Sequence, residues 1–241
     1  MNRDDKAGPH PSTREAQVAA NLTSVDARIT AACAAVGRER SDIVLVAVTK
    51  TFPSSDIRIL HGLGVTDVGE SRDQEAVPKV EACADLSLTW HFVGRVQTNK
   101  ARSVSAYANV VHSVDRERLV TSLAAGAAAA ERFLDVFVQV SLDDDPDRGG
   151  VAEKNLARLT DAVATSPRLQ LLGLMAIAPL EADPRRAFGR LAELAERTRV
   201  DHPAARWLSA GMSGDLEAAI AAGATHVRVG TGILGSRPVL G

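Results

Sequence analysis

Apolar and polar positions divide this chain into two kinds of segment that take turns. Short runs of Val, Ile, Leu and Ala, such as Ile43-Val44-Leu45-Val46-Ala47-Val48, show little alternation and are rich in β-branched residues. That is the pattern of strands buried on both faces, as in a parallel sheet. Between them, apolar residues recur at helical spacing. The pattern predicts strands near 43–50, 67–70, 90–94, 110–115, 135–142, 172–178, 206–211 and 226–230. It predicts helices near 54–63, 71–83, 97–106, 116–131, 151–165, 184–200 and 214–222. One more helix precedes them, with Val18, Leu22, Val25 and Ile29 on one face, Ser12 as the expected N-cap and Gly37 as the stop.

Eight strands with helical connections imply a parallel sheet. Eight such units in roughly 200–250 residues fit a (β/α)8 TIM barrel. The alternative is an open, doubly wound sheet, but no GxGxxG follows an early strand and no GxxxxGK[ST] occurs. Residues 12–241 are therefore expected to form a single α/β domain with an extra N-terminal helix, and residues 1–11 a disordered N-terminus.

Composition narrows the class. The 241 residues are 45% hydrophobic and 24% charged, with a formal net charge of −2. That profile is of a soluble globular protein, and it gives no broad basic surface for nucleic acid. Cys33 and Cys83 are far apart and form no metal-ligand spacing, which points to free thiols in a reducing compartment. The polar start, Met1 to Pro11, lacks the apolar stretch of a signal peptide, and the Ala-rich segment Leu123 to Ala130 is too short to span a membrane. A cytoplasmic monomer with no membrane or nucleic-acid partner is the expectation. The run Asp143-Asp144-Asp145-Pro146-Asp147 lacks calcium-loop spacing and reads as a solvated loop, not a metal site.

In a barrel the C-terminal ends of all strands face one site. Here those ends carry Lys50, Glu70, His91, Asp115, Ser141, Met175, Ser209 and Arg228. A partly desolvated lysine at such a position is a nucleophile toward aldehydes; the plainer reading is a lysine that ends a strand and reaches water. Two Gly-rich segments, Ser209-Ala210-Gly211-Met212-Ser213-Gly214-Asp215 and Arg228-Val229-Gly230-Thr231-Gly232, follow strands 7 and 8. Loops there commonly hold phosphate, and small residues let backbone N–H groups approach its oxygens. A lysine and a phosphate cradle around one mouth suit an aldehyde that carries a phosphate. Pyridoxal 5′-phosphate (PLP) and a phosphorylated sugar both qualify.

Five separated motifs carry a resemblance. They are Val46-Ala47-Val48-Thr49-Lys50, Trp90-His91-Phe92-Val93-Gly94 with Gln97-Thr98-Asn99-Lys100, Gly173-Leu174-Met175-Ala176, Ser209 to Asp215, and Val227-Arg228-Val229-Gly230-Thr231. In order and spacing, from about residue 14 to 236, the chain resembles the pyridoxal phosphate homeostasis protein family. The resemblance implies the barrel of the alanine racemase N-terminal domain, the PLP fold type III, and PLP binding without established turnover. It implies a Schiff base on Lys50, phosphate contacts from Ser213, Gly230 and Thr231 with Ser209 nearby, and Arg228 at the pyridine nitrogen. Met175 would line the site and His91 would lie close to it. Where the family commonly has Gly-Glu-Asn after strand 2, this chain has Gly69-Glu70-Ser71, so Ser71 takes the place of an asparagine near the ring. Apo PLP-dependent enzymes are the implied recipients.

Three functions fit these residues. A carrier needs only the binding groups. A racemase needs a second base opposite the lysine, and the one tyrosine, Tyr107, precedes strand 4 and is expected on the far side of the barrel; His91 is the remaining candidate. A Schiff-base aldolase needs a proton shuttle, for which Glu70 or Asp115 is placed.

Overall fold

A computed structural model describes residues 13–143, 149–179 and 181–236. Its strands are β1 (Val44–Val48), β2 (Asp67–Glu70), β3 (Thr89–Phe92), β4 (Val110–Val114), β5 (Leu134–Gln139), β6 (Leu169–Met175), β7 (Trp207–Ser209) and β8 (His226–Val229). Each pairs in parallel with the next, and β8 returns to β1 with Val46 opposite Arg228 and Ala47 opposite Val229. The sheet is a closed barrel, as the alternating pattern predicts, and not an open doubly wound sheet. Strand bounds fall within a few residues of expectation; β6 is shifted furthest, beginning at Leu169.

The helices are α1 (Arg14–Ala34), α2 (Ser54–Gly62), α3 (Asp73–Ala82), α4 (Ala101–Tyr107), α5 (Glu117–Ala129), α6 (Leu156–Ala164), α7 (Pro184–Asp201), α8 (Leu216–Ala221) and the short α9 (Thr231–Leu234), which the apolar pattern does not announce. The cap of α1 is Thr13, whose hydroxyl accepts from the Ala16 N–H at 3.2 Å. Ser12, the residues before it and Asp144 to Asp147 of the aspartate run lie outside the described residues. Val18, Val25 and Ile29 of α1 pack on Leu216, Ile220 and Ile233, closing the outside of the barrel beside β8 and β1. Ion pairs Arg14–Asp56 (2.6 Å) and Arg28–Glu217 (2.7 Å) tie α1 to α2 and α8.

Alternate residues of each strand face in and out. Outward residues, among them Val68, Val111, Val136 and Leu174, meet the helices in apolar clusters. The interior is less apolar than the strands suggest. Val110, Phe137, Leu172 and Met175 fill one part of it, and in the rest the rings of His112 and His226 pack on Phe137 with His91 against both histidines. No helix among the described residues is long and apolar enough to cross a membrane.

Candidate functional site

Lys50 lies two residues past the end of β1, in phase with its inward positions Val46 and Val48, while its neighbour Thr49 is in the outward phase. Thr49 Oγ1 donates to Glu70 Oε1 at 2.6 Å, and Lys79 of α3 donates to the Thr49 carbonyl at 2.9 Å and to Glu70 Oε1 at 2.7 Å. This buried trio clamps the backbone from which Lys50 projects. Lys50 itself is partly buried and forms no ion pair among the described residues.

The residue after it, Thr51, has φ of +68°. A β-branched residue in the left-handed region is strained, and such strain collects at functional sites. The Thr51 N–H is held by Glu75 Oε2 at 3.0 Å. Thr51→Gly is expected to raise stability by about 0.5–1 kcal/mol, because relief of strain outweighs the added chain entropy of glycine. A denaturant midpoint at or below wild type would contradict this.

Arg228, on β8, is buried. Its Nη1 donates to Ser209 Oγ at 2.5 Å and its Nη2 to the Ala176 carbonyl at 3.1 Å. Burial pulls its pKa down to about 10, with Asp215 opposing, so it remains a cation at neutral pH. Among the described residues no carboxylate forms an ion pair with it. A buried cation held only by neutral groups favours a ligand that accepts hydrogen bonds.

The loops after β7 and β8 meet beside it. Thr231 Oγ1 donates to Ser213 Oγ at 3.2 Å, and the Gly232 N–H reaches the same oxygen at 3.2 Å. Arg28 of α1 braces this loop by donating to the Ser213 carbonyl at 3.0 Å. A Cβ on Gly232 would stand 3.3 Å from Ser213 Oγ, and one on Gly230 would stand 3.2 Å from the Val48 carbonyl oxygen. Glycine keeps both backbones open to a small, oxygen-rich group. Lys50, Arg228, Ser213, Gly230 and Thr231 thus belong to one mouth, at the C-terminal ends of the consecutive neighbours β7, β8 and β1.

The other expected residues divide. Ser209 is fully buried, with its hydroxyl committed to Arg228 and to His112 Nδ1 at 2.8 Å. Met175 is buried in the barrel interior with Phe137 and Leu172. Ser71 lies on the rim at the end of β2, in a cleft of about 270 Å³ with Arg72, Arg95 and Lys100. Gly94 is required there: a Cβ on it would come within 2.1 Å of the Ser71 carbonyl oxygen.

Three expectations need correction. His91 lies inside the barrel with both ring nitrogens engaged, Nε2 by Asp67 at 2.9 Å and Nδ1 by His112 at 2.8 Å, so neither is free to face the mouth. Glu70 turns outward to Lys79, and Asp115 is held by Arg116 and, at 3.9 Å, by Arg95, so neither is a free proton shuttle. Tyr107 does belong to the N-terminal side by its backbone, but its ring packs outside the barrel wall against the layer of Ile57, Val68, Cys83 and Trp90. Its buried hydroxyl has no hydrogen-bond partner among the described residues, and burial, then Asp73 and Glu70, push its pKa up. It is a neutral phenol behind the wall.

Sequence reasoning passed over Asp67, His112 and His226. Burial holds His112 well below the usual histidine value, with His91 and Arg228 adding to the effect; it brings His226 down to about 4, with His91 next in size. The available signal was a histidine at an inward position of an otherwise apolar strand, in Val110-Val111-His112 and in His226-Val227. No cluster of three or more His, Cys, Asp or Glu among the described residues is arranged to hold a metal.

A profile described as "Alanine racemase, N-terminal domain" matches residues 20–238. The chain is 46% identical over 243 residues to the pyridoxal phosphate homeostasis protein of Mycobacterium tuberculosis, an alignment covering 93% of this chain and 94% of that protein. The structure of PipY from Synechococcus elongatus with PLP bound is 32% identical, with a TM-score of 0.81, covering 91% of this chain and 100% of PipY. An alanine racemase from Corynebacterium glutamicum, 15% identical with a TM-score of 0.67, shares the fold alone; the match covers 94% of this chain and 62% of the racemase.

Proposed function

This chain belongs to the pyridoxal phosphate homeostasis protein family, built on the alanine racemase N-terminal domain, and we propose on that footing that it binds PLP reversibly and does not turn over a substrate. The observation that carries the reading is the buried Arg228 facing the same mouth as Lys50, neither with an ion-pair partner among the described residues. Lys50 is the Schiff-base residue. Ser213, Thr231 and the backbone of Gly230 hold the phosphate.

Arg228 faces the ring nitrogen. A guanidinium only donates, so the nitrogen it meets must accept and stays unprotonated. When bound, PLP supplies an aldehyde for the lysine and an electron sink, and an unprotonated ring is the weaker sink. Ser209 acts through Arg228, Met175 lines the interior beneath, and Ser71 stands at the opposite rim. Neither candidate base among the described residues opposes Lys50: His91 has no free nitrogen, and Tyr107 is a protonated phenol behind the wall. This favours a carrier that shields cells from a reactive aldehyde and supplies apo-enzymes over a racemase or an aldolase.

Two measurements test the proposal. Incubation with PLP is expected to give a yellow protein. The loaded protein, offered free amino acids, is expected to produce no enantiomer above the rate given by free PLP. A colourless protein would remove the binding reading, and steady racemisation or retro-aldol cleavage would replace carrier with enzyme.

A further inference from the structure

Asp67 opens β2 at the floor of the barrel, Arg228 lies near the mouth end of β8, and three buried side chains join them. His91 Nε2 is 2.9 Å from Asp67 Oδ1, and His91 Nδ1 is 2.8 Å from His112 Nε2. His112 Nδ1 is 2.8 Å from Ser209 Oγ, which accepts from Arg228 Nη1 at 2.5 Å. At the floor, Asp67 lines a solvent-open cavity of about 530 Å³.

With both rings neutral, the protons fit this chain in one way. A carboxylate only accepts, so His91 Nε2 carries the proton and donates to Asp67. His91 Nδ1 is then bare and accepts from His112 Nε2–H. His112 Nδ1 is bare in turn and accepts the Ser209 O–H, whose oxygen accepts from Arg228. Every donor points from the mouth to the floor. Burial keeps His112 neutral, and it is also the largest single effect on Asp67, where it would raise the pKa; the His91 hydrogen bond and charge, with Thr66 and His226, together outweigh it and hold the carboxyl below its usual range. A second proton on His91 would have to sit on Nδ1, and His112 would then turn over to Nδ1–H toward Ser209. The charged or titratable groups around His91 are Asp67 from β2, His112 from β4, Asp135 from β5 and His226 from β8.

We propose that His91, His112 and Ser209 are positioning residues of the cofactor site, an oriented hydrogen-bond relay that anchors Arg228 on Asp67 at the barrel floor. This rests on the reading that Arg228 meets the ring nitrogen of PLP. Asp67 then contributes to binding without touching the ligand. A polar network that served only to stiffen the barrel would change stability when cut, but would not link Asp67 to cofactor affinity through Ser209.

Two experiments on the full chain decide it. Nitrogen-15 NMR of the histidine-labelled, cofactor-free protein at about pH 8, where imidazoles are neutral, is expected to show His91 and His112 both as Nε2–H tautomers. His112 as Nδ1–H would overturn the relay, and this holds whether or not the variants fold. The second is a double-mutant cycle on the dissociation constant for PLP. Asp67→Asn is expected to weaken binding roughly three- to tenfold, Ser209→Ala more so, and the double variant no further than Ser209→Ala alone, since the chain is already cut. Distant independent sites add, so additive losses, or wild-type affinity in Asp67→Asn, would overturn the proposal. Failure of the wild-type protein to take up PLP would instead overturn the cofactor reading and leave the tautomers as the test.

Discussion

The Lys50→Ala variant is expected to lose covalent capture of PLP completely and to bind it about a hundredfold more weakly or worse, a loss of roughly 3 kcal/mol or more. Five lysines occur in the chain: Lys6, Lys50, Lys79, Lys100 and Lys154. Lys79 is committed to Glu70 and the Thr49 carbonyl, Lys100 lies 3.6 Å from Asp73 on the rim, and Lys154 sits in the turn leading into α6. Lys50 alone of the four described extends the inward parity of a strand to the mouth where Arg228 and the β7–β8 loops converge. Those partners remain in the variant, so weak non-covalent binding is expected to persist. Borohydride treatment followed by intact-mass measurement reads both effects, and a variant that is still fixed as fully as wild type would remove Lys50 from its role.

Lys79→Ala is expected to have the largest effect on stability, a loss of about 3–5 kcal/mol at neutral pH. It leaves Glu70 buried without its cation, beside an Oε2 that already has no hydrogen-bond partner among the described residues. The pH dependence follows from the sign of the Glu70 shift. Burial raises its pKa above the ordinary 4.5, against the pull of Lys79 and Thr49. A carboxyl with a raised folded pKa holds its proton more tightly when folded, so its favourable contribution is complete below the unfolded value and is lost as pH rises through the folded one. Removing Lys79 raises the folded value further. The deficit of the variant relative to wild type should therefore shrink as pH falls toward about 4. Denaturant melts of both proteins across this range measure it; a deficit that is constant with pH would mean that the charge of Glu70 is not the cause. The cofactor site should feel the change too, since the same lysine clamps the Thr49 carbonyl next to Lys50.

The barrel was legible because parallel strands buried on both faces leave short, largely apolar runs, clearest in β1, β5 and β6, and because such runs alternate with helical patterns eight times along the chain. Lys50, Arg228 and the two glycine loops were legible because a barrel puts its strand ends at one mouth. What escaped depends on parity and on long-range partners. Glu70 and Thr49 are one residue out of phase with the mouth, so they serve the helix layer, and the strand-end rule alone does not count phase. His91 read as a neighbour of the cofactor because its motif lies near the site in sequence; its real partners, Asp67 and His112, come from other strands. Tyr107 sits at the foot of its helix, but long side chains in a helix lean toward its N-terminus, and this carries the ring up behind the barrel wall. The left-handed turn at Thr51 leaves no mark in residue type, since threonine rarely adopts it.

The most direct test of the account is the position of the fixed cofactor. The protein is loaded with PLP, reduced with borohydride, digested, and the peptides are mapped by mass. The account predicts one modified peptide, carrying the reduced cofactor on Lys50. Label on Lys79, Lys100 or Lys154 with Lys50 untouched, or no label at all on a loaded protein, would contradict it.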